Sequence, residues 1–115
     1  MPNRITRVNE LLQREIGEQL RRHFGGQKSV HITISDVSTS SDLRRCTIYY
    51  SVFGDSQKII ESEAFFRRIG KELRERVMKR VVLKYFPRFE FLYDPSMERG
   101  AKLVETLDQL DDENG

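Results

Sequence analysis

The stretch YFPRFEFLYD, residues 85–94, decides the fold. Pro87 disfavours helix at Phe86. Beyond it Phe89, Phe91 and Tyr93 alternate with Arg88, Glu90 and Leu92 until Asp94-Pro95-Ser96 breaks the pattern. That alternation predicts a half-buried strand directly after a long helical region.

Upstream, the helical region runs from about residue 57 to residue 85, with Phe66, Ile69, Leu73, Val77 and Val81 on one apolar stripe. Arg67, Lys71 and Arg74 fall on a neighbouring stripe, with Arg68 and Lys79 beside it. Gly70 interrupts the pattern at a cost of about 1 kcal/mol relative to alanine, which marks a kink or a close approach. Before this helix, Val30, Ile32 and Ile34 alternate with His31, Thr33 and Ser35, and Cys46, Ile48, Tyr50 and Val52 alternate with Arg45, Thr47, Tyr49 and Ser51. Two antiparallel strands around the polar turn STSSD, residues 38–42, are the simplest account.

The chain opens on an amphipathic helix whose apolar face carries Ile5, Val8, Leu12, Ile16 and Leu20, stopped by Gly25-Gly26. Its polar side presents Arg4, Arg7, Arg14 and Arg21 as a ridge broken by Glu10 and Glu18. After residue 97, Leu103, Leu107 and Leu110 suggest a short helix, and residues 108–115 read as an acidic, disordered tail, solvated rather than folded onto the basic face. The order is thus helix, strand, strand, long broken helix, strand, short helix. An α+β fold with one three-stranded sheet covered on one face by helices accommodates it, as a single domain over residues 1–107.

Composition narrows the function. No apolar run approaches the roughly 20 residues of a membrane span, and no signal peptide opens the chain, so a cytoplasmic protein is expected. Cys46 is the only cysteine. It excludes a disulfide framework and belongs on the core face of its strand. Residues 1–93 carry 18 Lys and Arg against 11 Asp and Glu, whereas residues 94–115 carry 2 against 7. A basic body with an acidic end commonly meets nucleic acid.

Catalytic apparatus is missing from the pattern. His23 and His31 have no nucleophile or paired carboxylate at motif spacing, and no zinc, redox or phosphate-loop motif occurs, so no metal or cofactor is expected. Asp42 and Asp94 read as turn caps. What remains is a set of RNA-binding candidates: Arg4, Arg7, Arg14 and Arg21 on the first helix, and Arg67, Arg68, Lys71, Arg74 and Lys79 on the second. Such cations supply salt-sensitive phosphate affinity without sequence information. Tyr49 is either a stacking surface or plain sheet propensity.

Three blocks resemble bacterial ribosome-binding factor A: RITRVNELLQREIGEQL at 4–20, ITISDVSTSSDLRRCTIYYSV at 32–52, and FPRFEFLYDPSMERGAKLVETL at 86–107. The resemblance implies a type II KH-like domain with a helix-kink-helix in place of a GxxG loop. It implies a non-catalytic factor, monomeric and needed most in the cold, that binds the free or immature 30S subunit and its 16S ribosomal RNA. There it would promote maturation and end processing beside other assembly factors. The family's Ala-x-Gly kink corresponds to Arg68-Ile69-Gly70, where only the glycine is kept, and HFGGQKS at 23–29 replaces the usual Asp-Pro-Arg approach to the first strand. A general single-stranded RNA chaperone of KH type and a protein-interaction module remain open alternatives.

Overall fold

Asn3 starts the first helix, α1, Arg4–Phe24: its side-chain oxygen accepts the Thr6 N–H at 2.8 Å, satisfying a donor that the first turn leaves without a helical partner. Val8, Leu12, Ile16 and Leu20 are buried as the spacing requires, and Phe24 extends the stripe. The computed structural model describes residues 3–25 and 31–95, which form two helices and three strands. The expected short helix after residue 97, the tail at 108–115, Gly26 and Val30 lie outside the described residues.

The strand expected over residues 30–35 is observed at Ile32–Thr39 (β1), paired antiparallel with Arg45–Val52 (β2). The register shifts between Ile34 and Asp36. Ser35 is the extra residue, and this bulge switches the inward positions from Ile32 and Ile34 to Val37 and Thr39, carrying the strand past the point where simple alternation fails. Asn9 of α1 accepts the Thr39 N–H at 2.9 Å, pinning the far end of β1. In the connecting turn, Asp42 accepts from the Ser40 hydroxyl at 2.7 Å and the Arg44 N–H at 3.0 Å, while Leu43 takes φ 61°. Asp42 is the turn cap its neighbours suggested.

The second helix, α2, spans Ser56–Met78 with Asp55 as its N-cap, and it ends short of Tyr85. Val81 still reaches the core, through a turn closed by its N–H onto the Val77 carbonyl at 3.0 Å. From there residues 79–87 leave the helix axis and lead back to the sheet. Their route is held by Arg74, whose guanidinium donates to the carbonyls of Pro87 at 2.9 Å and Phe86 at 3.1 Å and lies over the Phe86 ring. Pro87 is fully buried. The third strand, Arg88–Tyr93 (β3), then pairs parallel with β2, making β2 the centre of the sheet.

α2 passes through Gly70 uninterrupted, so the two helices expected on either side of a kink are one helix here. The glycine serves close approach instead: a Cβ at this position would lie 3.3 Å from the Phe91 ring. Phe91 stacks on Phe66 with centroids 4.5 Å apart, and Phe66 meets Tyr50 at 4.6 Å, so the α2 and sheet layers interlock through rings. Both helices cover the face carrying Cys46, Ile48, Tyr50, Phe89, Phe91 and Tyr93. The opposite face, with Thr47, Tyr49, Glu90 and Leu92, has no helix over it among the described residues.

Two predictions follow from this packing. Nothing stands within 4 Å of a Cβ at Gly17 on α1, whereas one at Gly70 would crowd the Phe91 ring, whose freedom to give is limited by its stack on Phe66. Gly17→Ala should therefore raise Tm by a few degrees, through about 0.5–1 kcal/mol of helix propensity, while Gly70→Ala should melt below the parent protein. Calorimetry of the pair checks both signs. Burial pushes the Cys46 thiol from 9.0 up to about 11 and the Tyr50 phenol from 10.0 up to about 12. The fold favours both neutral forms, so the unfolded chain loses these protons first. Stability is then complete below about pH 9 and falls as pH climbs toward 11, by roughly 2–3 kcal/mol for the thiol alone. Denaturant titrations at each pH should show a shallower decline for Cys46→Ala than for the parent.

Candidate nucleic-acid interface

All four candidate arginines of α1 are exposed, as a polar stripe opposite a buried one must be. Arg4 and Arg7 lie near the helix start. Arg14 and Arg21 border a hollow of about 560 Å³ between α1 and β1, with Leu20, Ile32 and Ile34 in its lining. Arg21 is not a free cation: it pairs with Glu18, which also takes Arg22 at 2.6 Å. The Arg21 guanidinium, hydrogen-bonded to Glu18, holds that carboxyl below its usual range.

The candidates on α2 have several roles. Arg67 borders a recess with Tyr50, Phe66, Phe91 and Tyr93, on the β3 side of the sheet. Arg68 lies over the Phe65 ring at 5.6 Å, and Lys71 is exposed. Arg74 is half-buried and occupied with the Phe86 and Pro87 carbonyls, which makes it a structural clamp. Lys79 stands with Arg76, Arg80 and the α1 residues Arg22 and His23 where the two helices meet. Arg76 there pairs with Glu72 at 3.0 Å and Arg80 with Glu15 at 3.4 Å.

The two ridges approach one another where the helices meet but stay apart across the sheet. Arg14 and Arg21 flank β1, Arg67 flanks β3, and β2 runs between them. Sequence reasoning missed the contribution of Arg22, His23, Arg76 and Arg80, which helix-face counting on single helices cannot join. It also missed Arg44, Arg45, Lys84 and Arg88. A usable signal was present for two of these: Arg45 and Arg88 each open a strand, and parallel pairing sets strand beginnings side by side.

The chemistry available is electrostatic. Cys46, the one thiol, is buried and raised to about 11, which makes it a poor nucleophile. Among the described residues no group of three or more His, Cys, Asp and Glu side chains is arranged to hold a metal, and no helix is long and apolar enough to cross a membrane. Tyr49 is half-exposed on the open sheet face, beside Leu92 of β3.

Comparison with known proteins agrees with this architecture. A protein of Opitutus terrae named ribosome-binding factor A is 39% identical over 111 residues, covering 96% of this chain and 90% of the relative. The crystal structure of ribosome-binding factor A from Thermus thermophilus superposes with a TM-score of 0.67 at 20% identity, covering 79% of this chain and 97% of that one. A homology model of the Thermus thermophilus factor, fitted into the cryo-EM map of a 30S complex, gives a TM-score of 0.58 at 20% identity, covering 76% and 91%. Residues 4–107 match the family described as ribosome-binding factor A, and the chain belongs to that family.

Proposed function

We propose that this protein is a non-catalytic assembly factor that binds the free or immature 30S subunit through its 16S ribosomal RNA, promoting subunit maturation and processing of the RNA ends. It works in the cytoplasm as a monomer, with residues 1–107 as the binding domain and the acidic residues 108–115 as a solvated extension. The observation that carries the reading is the array of exposed cations on the outer sides of α1 and α2 in a chain of this family. Relatives bear the name ribosome-binding factor, and the Thermus protein has been fitted into a 30S complex.

Affinity of this kind comes from phosphate neutralisation, so it falls steeply with salt, by a slope of about 0.9 in log–log terms for each phosphate contact on a duplex. Arg4, Arg7, Arg14, Arg67, Arg68, Lys71 and Lys79 are the cations assigned to the contact, Arg21 sharing in it from a position partly neutralised by Glu18. Arg74 is withdrawn from that set because its guanidinium is used inside the fold.

Purified protein sedimented with isolated small subunits, large subunits and complete ribosomes across a salt series should travel with free small subunits alone, and less so as salt rises. Arg67→Glu combined with Lys71→Glu should weaken this co-sedimentation at least tenfold with Tm unchanged. Arg74→Glu should instead lower Tm by leaving the Phe86 and Pro87 carbonyls without their donor, a loss of about 1–3 kcal/mol. Equal binding to all three particles would replace the proposal with a general single-stranded RNA chaperone, and salt-independent binding to a protein would replace it with an interaction module.

A further inference from the structure

A further group of exposed cations lies at the end of the sheet. Arg45 and Arg88 are register partners on the parallel strands β2 and β3, next to residues that face the core, so both project from the open side. The Arg88 N–H donates to the Arg44 carbonyl at 2.8 Å, which fixes the β1–β2 turn against the segment before β3. Between them runs a groove of about 750 Å³ bordered by Arg44, Lys84, Tyr85, Phe86 and Arg88, joined by a smaller recess beside Ser40 and Arg45.

The cations of this site differ from the paired arginines of the helices. Arg21, Arg22, Arg76 and Arg80 each pair with a glutamate. Arg44, Arg45, Lys84 and Arg88 are exposed, and among the described residues none stands in a salt bridge. Asp42 is the one carboxylate bordering the groove, and it is engaged with the Ser40 hydroxyl and the Arg44 N–H. Glu90, the next residue on the open face after Arg88, confines the positive field to the sheet end. The groove also has an aromatic wall. Tyr85 is 62% exposed, with the Lys84 ammonium 5.6 Å from its ring centroid, and Phe86 behind it is braced by Arg74.

We propose that this groove binds an unpaired stretch of RNA, its phosphates held by Arg44, Arg45 and Arg88 and one base stacked on Tyr85. The assignment rests on the RNA-binding reading above and adds a second contact, specific for single strands. Unpaired nucleotides offer both a phosphate and a free base face, which is the combination this groove matches. A duplex presents its backbone alone and leaves the tyrosine unused.

The test is fluorescence anisotropy of the full chain with a labelled ten-nucleotide oligouridine and with an RNA duplex of equal length, run beside small-subunit sedimentation. The parent should prefer the single strand. Arg45→Ala with Arg88→Ala should weaken oligouridine binding about tenfold and reduce the salt slope by roughly 1.4, two contacts at about 0.7 each. Tyr85→Ala should weaken it by a similar factor with the slope unchanged, because stacking releases no counterions. Lys84→Glu, beside Tyr85 in the same groove, gives an independent check should the double variant melt early.

If oligouridine binds the parent and all three variants equally, the groove assignment is overturned while the subunit reading stands. If the parent binds neither RNA nor subunits, the underlying reading fails and takes the groove with it. A poly-glutamate peptide bound as tightly as oligouridine, and lost in the same variants, would assign the groove to an acidic protein partner and overturn the proposal.

Discussion

The parallel pairing of β3 with β2 is the constraint on which the rest of the molecule depends. Antiparallel neighbours can be joined by a tight turn, but parallel ones require the chain to travel back the full length of the strand. Here α2 travels back along the strands and residues 79–87 return the chain from its end to the sheet, so the sheet's centre, its helical cover and the end where Arg45 meets Arg88 are one topological consequence. The return carries little regular structure of its own, and its carbonyls need partners. Arg74 supplies two, and Pro87, which has no N–H, removes one donor from a buried position. Placing a cation inside a small fold is tolerable because it meets carbonyl dipoles and a ring face there.

Layer spacing is the second theme. The α2 layer approaches the sheet closely enough that Gly70 faces Phe91, and the rings of Phe66, Tyr50 and Phe91 fill the rest of the gap. Aromatic side chains bury large areas with few rotatable bonds, so a domain of this size gains a well-defined core from a handful of them. Phe24 joins the same chain of rings from α1, edge-on to Phe65 with centroids 6.4 Å apart, tying the helices to one another as well as to the sheet.

Much of this was legible in the chain itself, and the exceptions have physical causes. The stripes of α1 and α2 and the alternation of β2 and β3 are local periodicities, and every stripe residue from Val8 to Leu20 and from Phe66 to Val81 is buried. The extent of β1 was not legible because a bulge reverses inward and outward positions midway, and only the partner strand reveals it. The end of α2 was missed because Val81 keeps the helical spacing while leaving the helix. Arg74 looked like its surface neighbours, since spacing cannot tell a solvated guanidinium from one folded onto carbonyls twelve and thirteen residues away in the chain. The sheet-end arginines come from two separate segments, Arg44-Arg45 and Arg88, that tertiary pairing alone brings together.

The bulge at Ser35 also bears on how the protein avoids its own copies. β1 is an edge strand, and an edge exposes unpaired amides and carbonyls that a second chain can extend. Because the register breaks at Ser35, the edge offers regular runs no longer than four residues, Ile32–Ile34 and Asp36–Thr39, with an exposed carboxylate at the break. The other edge, β3, is six residues long and sets Arg88 and Glu90 outward. A sheet with no helix over one face among the described residues thus carries short, charged borders that discourage sheet-to-sheet polymerisation at high protein concentration.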